Sequence, residues 1–304
     1  MSTASRLLGR IDEELFLYAF MEWAGQLIDT KGRHVAIDGK ALRGGTSKVR
    51  GERTPMLLNA IETVTGLVLA QLPLEDKENE IVKIPEILRL MNIKDSTITI
   101  DAIGTQTGIM EQIVGQGGHF VMVVKKNQPA SYEEIRQRFE EIDRELAAKK
   151  KNPKHSYSYP ALENHYEESV SREKNRDRYE YRRIQVCSDP GILSKAGKEW
   201  PFVKTVGVMR QERILLVRDA DGNDITPGPE EFFQKGTFRQ PLPTEGDTER
   251  DTKQVVGIIS DRELSAEETG KCRREHWSVE NRLHHVLDDT FREDRSPAKC
   301  CSAN

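Results

Sequence analysis

Apolar positions along the chain repeat with two periods, one helical and one strand-like, and their alternation sketches the fold. Leu15, Ala19, Trp23 and Leu27 form one stripe with Phe16 and Phe20 beside it, which predicts an amphipathic helix docked on a domain. Val35, Ala36 and Ile37 then suit a short buried strand ending at Asp38, with Lys40 and Arg43 close behind. Residues 55–76 read as two strands joined by a tight turn at Thr65-Gly66. Apolar residues at 81, 84, 88 and 91 restore a helical period, with Pro85 expected in a first turn or at a kink. A strand from residue 96 ends in Asp101, a short helix covers 107–115, and a further strand spans 119–127. Residues 131–151 predict a long charged helix, with Ser131 and Glu134 at capping-box spacing.

Three strands in hairpin order followed by alternating helices and strands imply an α/β fold, a mixed sheet with helices on its faces. Residues 152–260 are richer in Tyr, Arg and short strand-like runs, and residues 265–294 return to helix. The expected organisation is a helical segment over 1–30, the first part of an α/β core over 31–151, a β-rich insertion over 152–260, and a C-terminal helix and tail over 261–304.

Composition narrows the function only locally. The 304-residue chain has a net charge of −4, which gives no support to a polyanionic partner. Residues 31–53, however, hold seven Lys/Arg against two acids, and a concentrated patch is what an anionic polymer feels. Such a run also suits a solvated loop. The four cysteines (187, 272, 300, 301) show neither CxxC spacing nor the density of a disulfide framework, so free thiols are expected. No leader is evident, and residues 15–25 are too short and hold Glu22, so no membrane span is expected and the compartment reads as cytoplasmic.

Two glycine-rich stretches are lookalikes. "GQGGHF" stands after a helix and before a strand, the reverse of the dinucleotide-binding order, and "GKALRGGTSK" lacks the GK[ST] order of a phosphate-binding loop. Asp38 and Asp101 are stronger candidates, each ending an apolar strand and each followed by a small residue, Gly39 or Ala102. Strand ends of an open sheet meet the ligand cleft. Two carboxylates there repel unless cations stand between them, and Mg²⁺ takes such oxygen ligands. Either aspartate alone also fits a simple turn.

A third acid comes from the C-terminal helix. Its apolar face is Val279, Leu283, Val286, Leu287 and Phe291, and a stripe of His276, Glu280, His284 and Asp288 runs alongside. A salt-bridge helix accounts for the acids but not for two histidines and Trp277 around one glutamate. Glu280 and His284 at i, i+4 also suit zinc, although HExxH is absent and no cysteine pair is near.

Together "AIDGKALRGG", "ITIDAIGTQ", "VVKKNQ" and "EHWSVENRLHHVLDDTFRED" resemble the H-repeat-associated family of bacterial insertion-sequence transposases, from about residue 5 to residue 298. The resemblance implies a DDE enzyme with a ribonuclease H-like core: a mixed sheet flanked by helices, with a β-rich insertion before the last catalytic helix. It implies Asp38, Asp101 and Glu280 as catalytic carboxylates and metal ligands, and two Mg²⁺ (or Mn²⁺) ions as cofactors. Lys40, Arg43, Lys125, Lys126, Asn127 and Gln128 would contact the phosphate backbone, with His276, Trp277, His284 and Asp288 in support. The implied partner is double-stranded DNA, both element ends and target, handled by a homo-oligomer at the bacterial nucleoid. The chain departs from the family at His285 and Asp289 and is shorter at both ends, which reads as a truncated element. A non-catalytic DNA-binding remnant and a metal-dependent nuclease of the same fold are the alternatives.

Overall fold

The computed structural model describes residues 10–41, 56–74, 80–175, 178–193, 200, 202–216, 218–226, 252–279, 283 and 285–290. The chain divides into two units, residues 1–123 with 271–304, and residues 124–270.

In the first unit, Val35, Ala36 and Ile37 lie fully buried in β1 (His34–Ala41), the middle strand of five. β2 (Met56–Glu62) and β3 (Val68–Leu74) form the expected hairpin, and β2 runs antiparallel to β1. β4 (Thr97–Ile100) and β5 (His119–Val124) run parallel to β1, giving the order β3-β2-β1-β4-β5. Parallel neighbours need crossovers. α2 (Glu80–Arg89) connects the hairpin to β4, and α3 (Thr107–Gly115) connects β4 to β5. Ile84, Ile87 and Leu88 of α2 and Ile109, Met110 and Ile113 of α3 supply the buried faces. This is the expected mixed sheet flanked by helices.

Three local expectations are corrected and a fourth is narrowed. β1 does not end at Asp38: its ladder with β2 continues to Ala41 opposite Met56, and only its ladder with β4 stops, at Ile37 opposite Ile100. α1 (Glu13–Leu27), capped by Asp12 Oδ1 accepting from the Leu15 amide at 3.0 Å, buries Met21 and Ala24 instead of the wide stripe. Leu15, Phe16, Trp23 and Leu27 are exposed, because the small Ala24 and pliant Met21 give the closer approach to β3. Pro85 sits inside α2, beyond its first turn, and its carbonyl accepts from Gln112 Nε2 of α3 at 2.8 Å. α4 (Pro129–Lys151) begins before Ser131, since proline's fixed φ suits a first helical position, and Ser131 is buried within the helix rather than capping it.

The second unit contains an antiparallel meander of β6 (Tyr166–Asn175), β7 (Arg178–Cys187), β8 (Thr205–Leu215) and β9 (Thr252–Ser260). β6 pairs only with β7 in this meander and is mostly exposed. α4 buries Tyr132, Ile135, Phe139 and Ile142. Beneath its polar side, Asp143 bonds Arg183 Nη2 at 2.8 Å through Oδ1 and Arg210 Nη1 at 3.1 Å through Oδ2. Gln185 Nε2 donates to the same Oδ1 at 2.8 Å, and the Arg210 guanidinium also meets Gln185 Oε1.

The last long helix, α5 (Ala266–Val279), opens on a capping box absent from the sequence reading. Ser265 Oγ accepts from the Glu268 amide at 3.1 Å, and Glu268 Oε2 accepts from the Ser265 amide at 2.9 Å. A short α6 (His285–Asp289) follows. Of the expected apolar face, Val279 and Leu283 pack with Ala36, Ile61 and Val68, whereas Val286 is exposed; the Leu287 side chain and Phe291 lie outside the described residues. Cys187 and Cys272 are free thiols, while Cys300 and Cys301 lie outside the described residues. Among the described residues no helix is long and apolar enough to cross a membrane.

Candidate active site

The site is built from strand alternation. Side chains two apart share a face, so His34, Ala36 and Asp38 of β1 point one way, as do Thr99 and Asp101 at the end of β4. Asp101 keeps extended backbone (φ −68°, ψ 168°), which carries the alternation one residue past the strand. Ile37 pairs with Ile100 in parallel register, and Asp38 and Asp101 are the residues that follow on the two chains. They stand where the ladder between β1 and β4 opens.

A further acid reaches this opening from α2, a helix the sequence predicts without marking Glu80 as a site residue. Glu80 begins α2, and its carboxyl occupies the space above Gly39. A Cβ on Gly39 would overlap Glu80 Oε1 and lie 2.9 Å from the carboxyl carbon, so the carboxyl keeps this position only while residue 39 has no side chain. Burial pushes the Glu80 carboxyl above its ordinary value, and the Asp101 charge pushes it further. Asp101 leads into a single 3₁₀ turn (Ala102–Gly104), where a Cβ on Gly104 would lie 3.0 Å from Ile84 of α2. That close approach brings the Glu80 helix against the Asp101 turn.

α5 lies across the same face of the sheet. His34 Nδ1 bonds Glu275 Oε2 at 2.7 Å, His34 Nε2 bonds Thr99 Oγ1 at 2.7 Å, and Thr99 Oγ1 bonds His276 Nδ1 at 3.0 Å. With a neutral His34 ring one direction satisfies all three: His276 donates to Thr99, Thr99 to His34, and His34 to Glu275. The bond from His34 holds the Glu275 carboxyl below the ordinary carboxylate range. Thr99→Val removes the hydroxyl that joins the two buried rings and strands both ring nitrogens. It should cost about 2 kcal/mol in chemical denaturation, whereas Thr99→Ser should cost well under half of that.

One turn back, Arg273 is 3% exposed, and among the described residues none of its Nε, Nη1 or Nη2 atoms has a hydrogen-bond partner. Burial pushes this guanidinium down to about 10, while the Asp101 charge opposes that shift. Its central carbon lies 5.7 Å from the Trp277 ring centroid. Lys40, expected at a phosphate, is 4% exposed, and its ammonium bonds Asp288 Oδ1 of α6 at 2.5 Å. Its charge therefore braces α6 against β1. Glu280, His284 and Arg43 lie outside the described residues.

Residues 29–304 match the profile of the transposase DDE domain family. The chain belongs to that family. Its relatives include "H repeat-associated putative transposase YhhI" of Escherichia coli K12, 30% identical over 295 residues, covering 96% of this chain and 66% of the relative. "Putative transposase YncI" of Escherichia coli O157:H7 is 27% identical over 302 residues, covering 97% of this chain and 64% of the relative. The chain thus spans about two thirds of the length of the curated relatives it matches.

Within this transposase domain, Lys125 and Gln128 are half-buried and Lys126 and Asn127 exposed, in the turn just after β5 where the Gln128 amide donates to the Lys125 carbonyl at 2.9 Å. Among the described residues no three His, Cys, Asp or Glu side chains are grouped closely enough to hold one metal ion directly. Sequence reasoning missed Glu80 and Arg273. Glu80 looks like an acid complementing a helix N-terminus, and Arg273 like one more base in "KCRREHW". The small residue after Asp38 was the available signal, since a glycine in a strand marks close approach by something else.

Proposed function

We propose that this chain is the catalytic domain of a transposase that cuts double-stranded DNA and joins the cut strand to a target by two-metal phosphoryl transfer. The observation that supports it most is the register: the β1–β4 ladder ends at Ile37 opposite Ile100, and Asp38 and Asp101 are the residues that follow. Neighbouring carboxylates repel, so a divalent cation between them is favoured, and Mg²⁺ or Mn²⁺ suits oxygen ligands. The Arg273 guanidinium, without a hydrogen-bond partner among the described residues, and the Glu80 carboxyl seated above Gly39 fit a site built around a charged, oxygen-rich ligand.

Bound divalent ions would supply activation of a water or 3′-hydroxyl and stabilisation of the leaving oxygen. Asp38 and Asp101 would hold them from rigid strands, with Glu280 as the third carboxylate beyond α5. The Thr99 bridge and the Lys40–Asp288 pair tie the C-terminal helices to the strands. Arg43, Lys125, Lys126, Asn127 and Gln128 would position the phosphate backbone without reading sequence. In this reading the active form is an oligomer on paired ends.

The test is a duplex carrying the element's own end, incubated with the chain, Mg²⁺ and a target plasmid. The expected products are a cut end and a joined product, both lost on chelation. A duplex cut but never joined would place the activity with metal-dependent nucleases, and a shifted but uncut duplex would mean a DNA-binding remnant.

A further inference from the structure

Glu80 is an acid beside Gly39, acted on by the Asp101 charge, that the DDE assignment leaves without a purpose. Its placement is costly. The carboxyl is half-buried, the Asp101 charge acts on it unfavourably, and it occupies a cradle that a single methyl group on Gly39 would fill. A structural acid at a helix start needs none of this, because a solvent-facing carboxylate complements the helix N-terminus equally well. A second, independent observation comes from α5. Arg273 is buried with all three guanidinium nitrogens unpartnered among the described residues, and Asp101 is the charge it senses. Buried donors without acceptors are rare and mark places where a ligand or ordered water completes the network.

We infer that Glu80 is a further carboxylate of this site, accepting hydrogen bonds from the water shell of a divalent cation held by Asp38 and Asp101, and that residue 39 is glycine to admit it. The inference rests on the transposase reading for the cation itself. Contact through water follows from two facts. Among the described residues no three potential ligands converge on one point. Mg²⁺ and its like also keep several waters when only a few carboxylates bind them. Glu80 is thus a positioning residue: it fixes the orientation of the waters, and through them the placement of the ion between the strands.

Mn²⁺ binding to the full chain without DNA, followed by the electron paramagnetic resonance of the free ion, tests this apart from catalysis. Glu80→Gln should weaken Mn²⁺ binding at least about tenfold, as loss of an outer-shell partner does. Gly39→Ala keeps the carboxyl but evicts it from its cradle, and should weaken binding in the same direction. Circular dichroism should match the wild type for both. If Glu80→Gln unfolds the chain, Gly39→Ala decides alone. Wild-type affinity in a folded Glu80→Gln chain, with binding lost in Asp101→Asn, would overturn the role of Glu80 and leave the transposase reading standing. Failure of the wild-type chain to bind Mn²⁺ would overturn both.

Discussion

Asp101→Asn is expected to lower Mg²⁺-dependent strand cleavage about a thousandfold or more while leaving duplex binding within a few-fold of wild type. The substitution keeps the shape of the side chain and removes its charge. Charge stabilisation by a bound metal is worth several kcal/mol to phosphoryl transfer, and each 1.36 kcal/mol is a factor of ten, so losing about 4 kcal/mol gives the stated size. Duplex binding depends on basic groups elsewhere and should persist in a gel-shift assay. The same change relieves the charge pressing on Glu80 but strips Arg273 of its neighbouring counter-charge. Circular dichroism must therefore accompany the rate measurement. Cleavage at the wild-type rate by a folded Asp101→Asn chain would remove Asp101 from the chemistry and with it the two-aspartate site.

Asp143→Ala should destabilise the second unit by about 3 kcal/mol, read as a lower urea midpoint. Arg210 is 1% exposed, and burial already pushes its guanidinium down; Asp143 does most to offset this, with Glu140 adding to it. Removing one partner of a buried pair typically costs about 3–5 kcal/mol, because an uncompensated charge remains. The low end applies, since the Asp143 side chain is 25% exposed and water can reach the vacated space. Replacing both partners, as in Asp143→Leu with Arg210→Met, should recover most of the loss. A single-variant effect below about 1 kcal/mol would show that Gln185 alone satisfies the arginine.

Periodicity made the first unit's strands and helices legible, because β1, β4 and β5 are short apolar runs separated by clear helical patterns. Asp38 and Asp101 were legible for the same reason: a carboxylate at the end of an apolar strand contradicts its surroundings. Three-dimensional choices were not. The periodicity of α1 names a stripe but not which edge of it touches β3, and packing selected Met21 and Ala24. Lys40 reads as a solvent-facing base until α6 folds back to bring Asp288 to it, a contact 248 positions apart in sequence. Glu80 and Arg273 were invisible because nothing local distinguishes them from surface charges; only the crowding over Gly39 and the missing partners in space do so.

Among the described residues β6 has a strand on one side only, and its other edge carries a further consequence. A strand with one neighbour in its meander offers a row of backbone donors and acceptors to any extended chain that meets it. Five of its ten residues are charged, Glu167, Glu168, Arg172, Glu173 and Lys174, and they fall on both faces. A second strand laid against this edge would have to bring charges of both signs into register or strip them of water. Strands of identical sequence in parallel register would set like against like at every one of these positions. The sequence of β6 thus discourages the edge-to-edge stacking by which β-rich chains coalesce when concentrated.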